Sequence, residues 1–247
     1  MLLRRITQHV KEQNWFAVFL DFLIVVVGVF IGLQVANWNE ARADRGLRAG
    51  YLVQLIEDLQ ADVIEAKETE RQAWARVGAI DDIFEAASME KPLREVYLEG
   101  QILKAPPVPE FTADYPYAHN HVITNLSTFE QNRETFDAIV NNGHFGLIRD
   151  TNLVRQIQDY QRNVEGVKGF DDAIVETFRR ITELRSRHGI SVAGRTTLQE
   201  LANAVQTDRQ LAAELRTYHF NSAVQAGRVI ELQLSAEALI EAIEGTQ

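Results

Sequence analysis

The sequence predicts an all-α protein, with an N-terminal transmembrane helix continuing into an elongated antiparallel helical bundle. Three observations predict it. Phe22 to Leu33 is an apolar run with no polar side chain. Apolar residues then recur at spacings of 3 and 4 along long segments, the period of one helix face. No stretch sustains the period-2 alternation of a half-buried strand.

The elements follow in order. Residues 1–14 carry Arg4, Arg5 and Lys11 against one acid, Glu12. A short basic tail of this kind favours the cytoplasmic side. Arg42, Arg45 and Arg48 follow the span and weaken a simple charge count, but a large domain is translocated largely regardless of charge. The expected topology is a cytoplasmic tail at 1–14, a transmembrane helix at 15–38 and a periplasmic helical bundle at 39–247. Trp15 to Val35 covers about 31 Å at about 1.5 Å per residue, enough for a hydrocarbon core of about 30 Å. Trp15 and Trp38 flank the run as interfacial anchors. A cleaved signal peptide ending near Ala41-Arg42-Ala43 is the rival reading; it fits less well because the apolar region is long and Trp38 and Glu40 lie at the cleavage region.

Within the span, Asp21, Val25, Gly28, Gly32, Val35 and Asn39 follow one another at spacings of 4 and 3, on one helix face. This face is small and polar. Gly28 and Gly32 have the spacing that lets two helix backbones approach closely, and a carboxyl facing lipid is unfavourable unless paired, hydrated or protonated. The expectation is homo-oligomerisation through this face. The plainer alternative puts Asp21 about 9 Å inside Trp15, near the headgroups, with incidental glycines.

No proline occurs from Asn39 to Glu90, so the helix is expected to run on into the bundle. Leu52, Ile56, Leu59, Val63, Ala66, Glu70, Ala73, Val77, Ile80, Phe84 and Ala87 form a heptad seam, read as bundle packing ahead of an intermolecular coiled coil. Gly46, Gly50 and Gly78 are possible bending points. Lys91-Pro92 should end the helix, and Leu93 to Leu103 is expected to form a short one. Residues 104–126 form an irregular segment holding four of the five prolines. A capping box is readable at Ser127-x-x-Glu130, a stop at Gly143 and an N-cap at Asp150 or Thr151. The second long stripe is Leu153, Ile157, Tyr160, Val164, Val167, Ile174, Phe178 and Ile181, with a full heptad step after Val167. Its last turns hold Arg179, Arg180, Arg185, Arg187 and His188, cations that complement the helix dipole or meet an anionic partner. Thr197-x-x-Glu200 caps a short helix, Thr207 or Asp208 starts the last, and Leu211, Leu215, Tyr218, Val229, Ile240 and Ile243 mark its buried side.

Chemistry is sparse. A net charge of −10 excludes a broad nucleic-acid footprint. Cysteine is absent, which removes disulfides and thiolate metal sites. There is no Gly-x-Ser-x-Gly, phosphate-binding glycine loop, His-Glu-x-x-His or Glu-x-x-His. His119 and His121, with Asp114, lack a recognisable further ligand, and no metal or cofactor is expected. Adjacent acids such as Asp81-Asp82 and Asp171-Asp172 read as solvated faces. An enzyme is not expected.

Two segments resemble a family of bacterial single-pass membrane proteins known as a domain of unknown function. The first is residues 25–45, VVVGVFIGLQVANWNEARADR, with an acid several residues before it; Asp21, Gln34, Asn37, Trp38, Asn39 and Glu40 match, although Glu is more frequent in the family at the place of Asp21. The second is residues 135–161, where Gly143, Leu147, Ile148, Leu153, Ile157 and Tyr160 match and Gln161 replaces a frequent Tyr. The resemblance implies a retained anchor and a membrane-tethered helical domain in the bacterial inner membrane. It implies no activity, ligand or catalytic residue.

The expected function is therefore a membrane-anchored scaffold that meets the lipid bilayer, copies of itself and an unknown protein partner. Alternatives are a periplasmic ligand sensor, with a pocket near Tyr115, Tyr117 and His119, and a small ion- or proton-conducting oligomer using Asp21.

Overall fold

A computed structural model describes residues 15–93, 95–98, 101–104 and 116–246. The tail at 1–14 and much of the proline-rich segment lie outside the described residues. The chain divides into two compact units, Met1–Gly50 and Tyr51–Gln247, a boundary some residues beyond the expected end of the membrane segment.

In the first unit the described structure is the start of α1, a 72-residue helix Trp15–Ala86 that extends into the second. It is the one helix among the described residues that is long and apolar enough to cross a membrane, and none of its apolar window is buried within the chain. The geometry suits the composition, because a helix satisfies every backbone hydrogen bond internally where lipid offers none. α1 passes through Gly46, Gly50 and Gly78 without interruption.

The second unit is the expected all-α bundle. Its long members are the later part of α1, α4 (Thr151–Ser186) and α6 (Arg209–Glu244). Leu52, Leu59, Ala66, Ala73, Val77, Ile80 and Phe84 on α1 are buried, as are Leu153, Ile157, Tyr160, Val164, Val167, Ile174 and Ile181 on α4. Burying each large aliphatic or aromatic side chain contributes about 1.5–3 kcal/mol. α6 runs antiparallel to both partners: Glu70 pairs with Gln233 and Arg76 with Ser222, while Thr177 pairs with Asn221 and Arg180 with Glu214. α1 and α4 run parallel, since residues 52–66 share a core cluster with residues 153–167 and residues 79–84 with residues 174–184. A parallel pair requires the chain to return along the bundle between them.

The return segment does this. It passes through α2 (Ala118–Thr124), α3 (Glu134–Asn141) and a 3-10 turn at His144–Leu147. His119 meets Asp82, Asn125 meets Gln72, the Asn132 amide meets Asp62, that of Thr135 meets Asp58, and His144 meets Tyr51. Each step along it is a step back along α1. Phe129 and Ile148 anchor it in the apolar core.

Helix ends are largely chemical. Asp150, Thr197 and Asp208 cap α4, α5 (Leu198–Thr207) and α6, and Thr197 with Glu200 forms the full capping box. The box expected at Ser127-x-x-Glu130 does not form; α3 begins at Glu134 with no side-chain cap. α1 ends before Lys91-Pro92. Ser88 adopts φ 54, its amide donates to Glu85 O and that of Met89 to Phe84 O, a Schellman stop made without glycine. The short helix expected at Leu93 to Leu103 is instead an antiparallel hairpin, β1 (Glu95–Leu98) with β2 (Gln101–Lys104), pairing Val96 with Leu103 and Tyr97 with Ile102. Val96, Tyr97, Ile102 and Leu103 are residue types that favour extended backbone.

Candidate functional site

On α1, Asp21, Val25, Gly28, Gly32, Val35 and Asn39 are all exposed, and their spacing keeps them on one face. A Cβ built at Gly28 or Gly32 would meet nothing within 4 Å. Neither glycine is needed for packing inside the chain. Trp38 is exposed, with the Arg42 guanidinium 5.7 Å from its ring centroid. A shallow apolar groove beside the face is lined by Val27, Phe30, Ile31, Gln34, Val35 and Trp38. Trp15 lies in the helix, and its side chain is outside the described residues.

The second arrangement was not legible as solvated acids. A chain of polar side chains runs inside the bundle. Asp62, 2% exposed, accepts from the Asn132 amide at 2.7 Å and from the Tyr160 hydroxyl. Burial raises its pKa to about 6, against the opposing effect of those two hydrogen bonds. Arg76, fully buried, donates to Ser222 Oγ and the Asn125 carbonyl at 3.2 Å each, and to Gln225 Oε1. The Gln225 amide donates onward to Asp171 and to Ser127 O, and Asp171 also accepts from the Phe129 amide at 3.0 Å. Burial raises the Asp171 pKa, opposed by the Gln225 and Phe129 hydrogen bonds and by the Arg76 charge. His219 and Asp81, both buried, approach to 3.2 Å.

Asp81 and Asp171 are therefore interior groups, a correction to their reading as solvated faces. Adjacent acids on a helix diverge by about 100°, so one of each pair turns inward while Asp172 stays exposed and Asp82 half-exposed. The sequence held one usable signal. Asp171 occupies the gap in the α4 stripe, four after Val167 and three before Ile174. Asp62, Thr69 and Arg76 likewise form a heptad line beside the α1 seam.

The arginines near the end of α4 divide. Arg179 pairs with Glu176, Arg180 with Glu176 and Glu214, Arg187 with Glu183, and His188 with Asp208. Arg185 turns inward, is 1% exposed and donates to Asn120 Oδ1. Burying an ion costs several kcal/mol unless compensated, and burial pulls the Arg185 pKa down to about 10, so it stays charged at neutral pH.

Of the residues considered for metal, His119 is buried on α2 with Nε2 2.9 Å from Asp82, and Asp114 is outside the described residues. Among the described residues no three His, Asp or Glu side chains are placed to share a metal ion. Tyr115 is outside the described residues; Tyr117, Asn120 and His121 border a depression of about 160 Å³ with residues 192–194. A larger one, about 420 Å³, is lined by His188, Ser191, Arg195, Glu200, Asn203 and Thr207 among others. No protein-family model, curated protein or solved structure matches the chain.

Proposed function

We propose that this chain is a single-pass membrane protein of the bacterial inner membrane whose periplasmic bundle is a scaffold for a protein partner, and which self-associates through the Asp21, Val25, Gly28, Gly32, Val35 and Asn39 face. The observation that carries the reading is the apolar start of α1. It is unburied within the chain, and its two glycines leave open space where a side chain would stand. Open space on a small-residue face is what close approach of a second helix in lipid requires. Trp15 and Trp38 sit at the two membrane surfaces, and residues 1–14 stay in the cytoplasm. The proposed family membership, on the motif ending Asn37-Trp38-Asn39-Glu40, supports a retained anchor. The bundle has apolar core clusters and a satisfied polar chain about Arg76, the build of a rigid platform.

Alkaline extraction of membranes, combined with reporters fused at the C terminus, tests anchoring and orientation together. Retention in the pellet with a periplasmic reporter is expected; release into the supernatant or a cytoplasmic reporter contradicts it. Affinity capture of the intact protein from native membranes then identifies the partner. A second reading, a ligand sensor, draws on the polar depression beside His188 and Glu200. It predicts that Asn203→Trp, which fills the depression, abolishes the response to ligand while leaving the fold intact by circular dichroism.

A further inference from the structure

We propose that the bundle holds one small monovalent anion, of halide or nitrate size, in its interior against Arg185 and Tyr218. Arg185 is 1% exposed and Tyr218 0%. Of the three guanidinium nitrogens of Arg185, Nη2 is used by Asn120. Nε, Nη1 and the Tyr218 hydroxyl meet no acceptor among the described residues. These three buried donors belong to one neighbourhood: Leu184, next to Arg185 on α4, packs in the same core cluster as Tyr218, and the Arg76 guanidinium stands 5.7 Å from the Tyr218 ring centroid.

The two arginines differ in what completes them. Arg76 donates to three oxygens, and its charge is answered by Asp171 across Gln225. Arg185 has no such answer among the described residues. Among the described groups, Tyr218 is the one whose charge bears on its ionisation, and burial keeps that phenol neutral. Its own acid-side neighbours on α4 are outside: Glu183 pairs with Arg187 at the surface. A water molecule brings donors as well as acceptors and no charge. An anion brings acceptors and the missing negative charge, and so fits both deficits at once.

Size is also set. Ile181, Leu184, Leu215 and Phe84 pack in the same cluster as Tyr218, which limits the occupant to a few atoms. Asn120 stands between Arg185 and the surface. Its amide donates to the carbonyls of Gly194 at 3.0 Å and Ser191 at 3.4 Å, and its outer side borders the small depression with Tyr117 and His121.

The test uses full-length protein in detergent, with sodium gluconate as the starting salt, replaced by chloride, bromide or nitrate at constant ionic strength. Thermal unfolding is expected to shift upward by a few degrees and to saturate, as binding to the folded state requires. Chlorine-35 resonance lines should broaden in the presence of protein and narrow when bromide is added. Arg185→Gln should lower chloride affinity at least tenfold. Tyr218→Phe keeps the ring and should lower it several-fold; this variant decides the matter if Arg185→Gln does not fold. Equal unfolding temperatures in gluconate and chloride, no broadening, or unchanged affinity in Tyr218→Phe would overturn the site, the donors then being met by water.

Discussion

Asp62 is a carboxyl held inside the bundle for the sake of the groups it accepts from, the Tyr160 hydroxyl and the Asn132 amide. Its folded pKa of about 6 stands above the ordinary 3.8. The folded state therefore binds the proton more tightly than the unfolded chain. Its charged form disfavours folding above pH 6, the penalty is relieved as pH falls from 6 toward 4, and nothing further changes below that. Thermal unfolding of the full chain should move upward between pH 7 and pH 5, and Asp62→Asn should lose much of that slope while gaining on the order of 1–2 kcal/mol at pH 7.5. Asp171, whose pKa is also raised, adds to the same slope. Arg76 acts in the opposite sense. Arg76→Met strands the Gln225–Asp171 pair in the interior, and a loss of about 3–5 kcal/mol is expected in chemical denaturation.

Elements were legible where the signal is local. Asp150, Thr197 and Asp208 announce their helices because a cap is a relation between neighbours in sequence. The stripes on α1 and α4 were readable for the same reason, and the buried stripes follow them closely. The Ser127 box does not form because residues 125–133 are not helical: the backbone there is bonded to other helices, Ser127 O accepting from Gln225 and the Phe129 amide donating to Asp171. Two mutations separate the cases: Thr197→Ala should cost about 1 kcal/mol, and Ser127→Ala little, in the same unfolding assay. The helix expected at Leu93 to Leu103 gives way to two strands because four-residue strands are too short for periodicity to distinguish. The parallel course of α1 and α4 had no local signature either. It depends on the return segment being held to α1 by Asp58, Asp62 and Gln72, contacts between residues far apart in sequence. The polar chain leaves one local trace in the sequence, Asp171 in the gap of the α4 stripe, where a buried side chain is due.

The whole molecule sets a bundle with a buried core and a helix long and apolar enough to cross a membrane in one chain. The bundle encloses its apolar stripes, and the start of α1 encloses none of its own. The all-α class was legible from periodicity, and the helix apolar enough to cross a membrane from its length and composition, while the contact proposed for the Gly28 and Gly32 face would lie between molecules. Self-association through that face is the central proposal. Light scattering of the purified full-length protein in detergent, compared with a Gly28→Ile, Gly32→Ile double variant, tests it most directly. A defined oligomer is expected for the unaltered chain and a monomer for the variant, with the unfolding temperature of the bundle unchanged. A monomer in both, or the same oligomer in both, would contradict it.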